Sequence, residues 1–170
     1  WVKCRTDTTS WMVYHAALTS YKYLTLDTSN APVTHNGNWY NTDPTDSVFT
    51  VGDGATNVAQ AQIAYLFATL DGISKVGSYT GNGSSQTIDC GFSAGARFVL
   101  LKNTSAAHGW HLFDATRGIV SGNDPYLLLN TNAAQYTNLD MIDPHNSGFT
   151  VLDHGEINGN GNTIIFYAIA

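Results

Sequence analysis

The chain closes on Asn162-Thr-Ile-Ile-Phe-Tyr-Ala-Ile-Ala170, a run of β-branched and aromatic residues that reads as a strand. An earlier stretch, residues 55–70 (Ala-Thr-Asn-Val-Ala-Gln-Ala-Gln-Ile-Ala-Tyr-Leu-Phe-Ala-Thr-Leu), is Ala-rich, and taken alone it allows a helix. The two stretches hold matching places in an internal repeat, so the later one decides the earlier, and the second half of each is read as strand. Other strand candidates are short apolar or alternating runs between Gly, Asn, Asp and Pro: 1–5, 10–15, 22–27, 47–51, 85–90, 96–102, 109–113, 126–130 and 148–152. Glu156 is the only glutamate and lysine is scarce, so the residues that coat helix surfaces are missing. The expectation is an all-β fold, a β-sandwich or jelly-roll-like, lectin-like module with little or no helix.

The repeat is read block by block. Trp1-Val-Lys3 is echoed by Leu100-Leu-Lys102, and seven residues separate each lysine from a tryptophan, Trp11 and Trp110. Trp-Met-Val-Tyr-His (11–15) stands against Trp-His-Leu-Phe-Asp (110–114), and Tyr23-Leu-Thr-Leu-Asp-Thr28 against Tyr126-Leu-Leu-Leu-Asn-Thr131. Asp43-Pro44 with Ser47-Val-Phe-Thr-Val51 matches Asp143-Pro144 with Ser147-Gly-Phe-Thr-Val151, and Ile63-Ala-Tyr-Leu parallels Ile164-Ile-Phe-Tyr. The copies therefore span 1–70 and 98–170. The connecting segment 71–97 carries the turn signal Gly81-Asn-Gly-Ser-Ser85. No counterpart of that segment stands ahead of Trp1, and the first copy reads as clipped. Each copy is short of core, so both are expected to share one sandwich over residues 1–170.

Composition narrows the class. Charged residues make up 12% of the chain and the net charge is −6, with only seven basic residues, all scattered. Nucleic acid is thereby disfavoured as a partner, since phosphate binding needs clustered Lys and Arg. No apolar run approaches the roughly 20 residues of a membrane span, and no signal peptide is visible ahead of Trp1. Twenty Thr and fifteen Asn carry the polarity instead, which suits a module outside cells or on a particle surface. Cys4 and Cys90 either pair across a long loop or sit as two buried thiols.

The run Tyr79-Thr-Gly-Asn-Gly-Ser-Ser-Gln-Thr-Ile-Asp-Cys-Gly-Phe92, followed by Arg97-Phe-Val-Leu-Leu-Lys102, is distinctive. So are Trp110-His-Leu-Phe-Asp114 with Arg117-Gly118, Tyr126-Leu-Leu-Leu-Asn130, Gly148-Phe-Thr-Val151 and the final Ile-Phe-Tyr-Ala-Ile-Ala. Together they resemble an uncharacterised domain of tail-fibre-like and other virion structural proteins of tailed bacteriophages, notably marine ones. The second copy matches that pattern over nearly its whole length. The first matches loosely, with His15 in place of the Asp and no Arg-Gly step between Ala16 and Tyr21. The resemblance implies a lectin-like β-sandwich in a virion, with no characterised activity.

Candidate chemistry is sparse. Glycoside hydrolysis needs two flanking carboxylates. Of the twelve Asp, Asp43 and Asp143 precede Pro, Asp53 lies between glycines and Asp124 follows Gly-Asn, all turn contexts. His108, His111, His145 and His154 with Asp114, Asp143 and Asp153 suggest metal, but on a strand His108 and His111 would face opposite sides. Gly122-Asn-Asp124 offers oxygens to calcium without EF-hand spacing. Neither cysteine lies in a recognisable reactive context. Asp114 and Arg117 are read as pinning their loop by a charge-assisted hydrogen bond. Trp11 and Trp110 are read as core.

For sugar binding, an exposed aromatic face beside planar amides is required. Trp39 and Tyr40, flanked by Asn38 and Asn41, lie in an Asn/Gly loop that the second copy lacks. They are the leading candidates, and Tyr126, Asn130 and Asn132 are secondary ones. The sequence thus points to a phage-type virion component (tail fibre, appendage or capsid decoration). It is expected to be a homo-oligomer among other virion subunits, outside the cell, with no cofactor, resident metal, nucleic acid or membrane. A host-surface glycan is the small-molecule partner considered, by a lectin-like module or, as the different-class alternative, a glycan-degrading enzyme.

Overall fold

The computed structural model describes residues 1–57 and 59–170; Val58, inside the Ala-rich stretch above, lies outside the described residues. The protein is nearly all β, as its composition dictates, and one helical turn, α1 (Gly155–Asn158), is the helix among the described residues. The chain divides into two compact units, residues 1–66 and 67–170, where the sequence reading placed one module over 1–170.

The first unit holds one antiparallel sheet of short strands: β1 (Val2–Cys4), β2 (Met12–Val13), β3 (Lys22–Thr25), β4 (Val33–Thr34) and β5 (Gln62–Ala64), in the order β4-β3-β2-β1-β5. Alternation places Val2 and Cys4 inward with Lys3 between them. One cluster joins Val2, Met12 and Trp39, packed by Tyr14, Tyr23 and Ala55, and Cys4, Val13, Leu18 and Leu24 are buried as well. The strand expected over 47–51 does not form. The strand expected in the second half of 55–70 is reduced to β5, extended by paired backbone bonds between Tyr65 and Trp1.

The second unit is a β-sandwich. A six-stranded sheet runs β11-β10-β9-β8-β14-β6, from β6 (Ser74–Thr80), β8 (Phe98–Asn103), β9 (Trp110–Asp114), β10 (Asp124–Leu128), β11 (Tyr136–Leu139) and β14 (Thr163–Ile169). A three-stranded sheet runs β12-β13-β7, from β7 (Gln86–Asp89), β12 (Ile142–His145) and β13 (Gly148–Val151). Pro144 is accommodated because β12 is an edge strand. Val99, Leu101, Phe113 and Phe166 from the large sheet share one core with Ile88, Ile142, Phe149 and Val151 from the small one. Segment 71–97, read as a connector, supplies one strand to each sheet. Its Tyr, Val and Ile alternate with small polar residues, which is strand text in its own right.

The five strands of the first sheet, taken in chain order, are arranged as β8, β9, β10, β11 and β14 are in the six-stranded sheet. Pairing registers agree as well. Val2 faces Met12 as Leu101 faces His111, and Tyr23 faces Val33 as Tyr126 faces Tyr136. Lys3 faces Ile63 as Lys102 faces Ile165. In register terms Ile63 therefore stands with Ile165, one residue on from the Ile164 of the sequence alignment.

Two buried polar side chains tie the second unit together. The Asp124 carboxylate accepts backbone N–H groups of Met141 (3.1 Å), Ile142 (3.0 Å) and Val120 (3.2 Å), joining β10 in one sheet to the start of β12 in the other. Burial outweighs those bonds and raises its carboxyl above the ordinary range. Asn158 is buried in α1. Its amide donates to Ser84 O (2.6 Å) and Leu152 O (3.0 Å), and its oxygen accepts Gln86 Nε2 (2.7 Å) and Asn82 N (3.1 Å). Asn158→Ala leaves these four partners without their bonds. It should lower stability by about 3 kcal/mol in urea unfolding, whereas a purely local role would leave the loss under about 1 kcal/mol.

Candidate functional site

The structure separates the residues expected to bind sugar. Trp39 is 3% exposed and Asn38 is also 3% exposed. The loop folds back beneath the sheet, where the indole fills a core otherwise short of large apolar side chains. The indole N–H donates to Lys22 O (3.2 Å), and Tyr14 meets the ring edge-on at 5.9 Å. Backbone bonds fasten Asn38, whose carbonyl accepts Thr56 Oγ1 and Gly52 N, both at 2.6 Å. Reading Trp39 as a surface aromatic is therefore corrected. Tyr40 and Asn41 do face solvent, with Tyr40 52% exposed, and both hold left-handed backbone (φ 46° and 51°). Non-glycine residues take that conformation at a steric cost.

The other candidates are structural. Tyr126 is buried, stacked on Tyr136 (5.0 Å between centroids) and against Phe113 and His111. Asn130 accepts the Trp110 N–H (2.8 Å) and so registers the start of β9; Asn132 is exposed on the following turn. Trp110 is buried with the Lys102 ammonium 6.0 Å from its ring, while Trp11 is only half-buried and tilts against Tyr65. Asp114 takes the N–H groups of Thr116 and Arg117 and pairs with the Arg117 guanidinium, so the loop is pinned as its spacing suggests. Burial pushes the Asp114 carboxyl up, but the Arg117 and Thr116 contacts together hold it below the usual range. Cys4 and Cys90 are two free buried thiols, one in each unit. Cys4 Sγ approaches Gln60 Oε1 at 2.9 Å, and burial pushes the Cys90 thiol up to about 11.

Two surfaces emerge that sequence reasoning missed. The first is the hairpin segment 43–51. Its match in the second unit, β12–β13, buries Phe149 and Val151 completely and pairs with β7. In the first unit, Val48 is 65% and Phe49 37% exposed, on a turn in which Thr45 N donates to Val48 O (2.8 Å) and Val48 N to Thr45 Oγ1 (3.1 Å). A side chain at Gly148 would start 2.2 Å from Ile88 O, so β7 approaches β13 closely at this glycine.

The second is a cluster of imidazoles around Glu156 in the second unit. His111 is 1% exposed, and its Nε2 lies 2.9 Å from Glu156 Oε2, off the N–H axis, so neither ring nitrogen has a directed hydrogen bond. His108 Nδ1 stands 3.8 Å from Glu156 Oε1. Strand alternation was expected to aim His108 and His111 apart. It does not, because His108 precedes β9 and is placed by the Lys102 ammonium donating to its carbonyl (2.7 Å). His145 sits elsewhere, against Ser147 (3.1 Å). Among the described residues no group of His, Cys, Asp and Glu has the arrangement to hold a metal ion. One carboxylate among imidazoles is suited to taking up and releasing protons.

A family described as "Domain of unknown function (DUF7483)" matches the chain over residues 1–170, and the chain belongs to it. No curated protein and no solved structure matches.

The cluster makes the second unit acid-sensitive. The His111 imidazole holds the Glu156 carboxyl below its ordinary 4.5, and burial lowers His154 below its ordinary 6.5. Both groups bind protons less readily folded than unfolded. Their stabilisation is thus complete above pH 6.5 and is lost as pH falls, through His154 first and Glu156 below 4.5. Urea midpoints measured from pH 8 to pH 2 should fall in two steps; Glu156→Gln should remove the lower step and His154→Gln the upper. A flat profile would refute the assignment.

Proposed function

We propose that this member of the DUF7483 family is a non-catalytic structural module of a phage-type virion, working by packing against other protein subunits of an appendage or capsid surface. One observation carries the reading: the open 43–51 segment, whose Val48 and Phe49 are 65% and 37% exposed, whereas Phe149 and Val151 of the echoing segment in the second unit are core. Apolar side chains grouped on a surface mark association sites. The resemblance of residues 79–170 to phage virion domains supports the setting, and the low charge leaves the surface without the phosphate-binding patch that nucleic acid requires.

A second reading keeps host-surface glycan recognition, now narrowed to Tyr40. An exposed aromatic ring held on left-handed backbone beside Asn41 is a platform on which a sugar face can stack.

Native mass measurement and sedimentation test the main reading. A discrete homo-oligomer is expected, and Val48→Asp combined with Phe49→Asp should return it to monomer with its circular dichroism unchanged. A wild-type monomer at all concentrations up to millimolar overturns it. On a glycan array, binding lost in Tyr40→Ala would establish the second reading, and no binding by wild type would end it.

A further inference from the structure

The first unit's sheet ends at β5, and the second unit displays what belongs there. β14, which holds the place of β5, is flanked on its far side by β6 along seven residue pairs, from Thr163–Thr80 to Ile169–Ser74. We infer that the β5 edge is a docking site for one antiparallel strand of β6 chemistry, alternating small polar and apolar residues, donated by another polypeptide. The inference deepens the assembly reading above by naming the kind of partner it requires. It also takes the two units as related copies, on the shared strand order and registers.

Three features argue for it. First, the backbone is available. Ala61 and Tyr65 bond toward β1 (Arg5 N to Ala61 O, Tyr65 N to Trp1 O), so alternation turns the N–H and C=O groups of Gln62 and Ala64 outward. They have no ladder partner among the described residues. Second, the edge is unguarded. The outer edge of β6 is blunted by Thr69, whose hydroxyl accepts Val76 N (3.1 Å) and donates to Val76 O (3.3 Å); among the described residues β5 has no such device, and it runs into Tyr65 and Leu66, 47% and 71% exposed. An edge with unpaired backbone beside apolar side chains is a site of strand addition. Third, the fit is wider than at β14. Gly77 of β6 faces Phe166, and a Cβ there would meet the ring at 2.6 Å. Ala64 holds the place of Phe166 in β5, since Val2 faces Ala64 as Leu101 faces Phe166. A strand docking on β5 therefore needs no glycine at that point.

That difference supplies the test. Hydrogen exchange of the full chain is followed residue by residue, with and without excess of a synthetic peptide of residues 73–81 carrying Gly77→Ala. The alanine bars the peptide from invading the β14 edge. Amide exchange at Gln62 and Ala64 should slow by about tenfold or more. The Ala64→Pro chain, which loses an outward N–H and no bond to β1, should show no effect of peptide while keeping its own unfolding transition. No slowing in wild type, or slowing confined to residues 163–169 with the unmodified peptide, overturns the inference. Failure is separable from that of the assembly reading, because a chain that forms oligomers yet ignores the peptide refutes only the strand site.

Discussion

A fully buried carboxamide is the constraint on which the second unit depends. Asn158 sits where the turn after β6 approaches the chain leaving β13, and each of those segments would otherwise bury backbone groups without partners. Satisfying them from one side chain brings the two connections together, and with them the two sheets. Asp124 does the same at the entry to β12, using three backbone N–H groups to settle one carboxylate. Hydrophobic burial drives the sheets together without direction. These two residues choose the arrangement in which no polar atom at the seams is stranded.

The two units show how much a sandwich owes to its second layer. Both carry the same five-strand order, yet only the second unit has β6 and β7 to build the rest. With β7 beside it, the 143–151 hairpin becomes core. Without it, the matching 43–51 segment stays open, and the first unit recruits an indole from a loop to fill its interior. Short strands and a few buried apolar residues are what remain when one layer is missing.

The chemistry of the molecule is concentrated away from its turn carboxylates. The one glutamate is gathered with histidines at α1, where burial and imidazole contacts set its proton affinity. Its environment links protonation to the integrity of the second unit. The first unit instead exposes Tyr40, Val48, Phe49, Tyr65 and Leu66 among its polar and charged residues.

Composition and local pattern alone determined the all-β class, most strand positions and the Asp114–Arg117 clamp, because each depends on residues near one another in the chain. The text blocks that echo one another fall on strands ordered alike in the two sheets, with the register at Ile63 offset by one residue from the sequence alignment. What the sequence could not decide was side-chain direction where alternation does not apply: Trp39 turned under its sheet, and His108 turned toward Glu156. Nor could it tell that residues 47–51 and 148–151, alike in text, differ in state. Whether such a segment becomes a strand is set by a partner strand's backbone hydrogen bonds and by the space beside Gly148, both made of residues about 60 positions away, and only the tertiary structure brings them there.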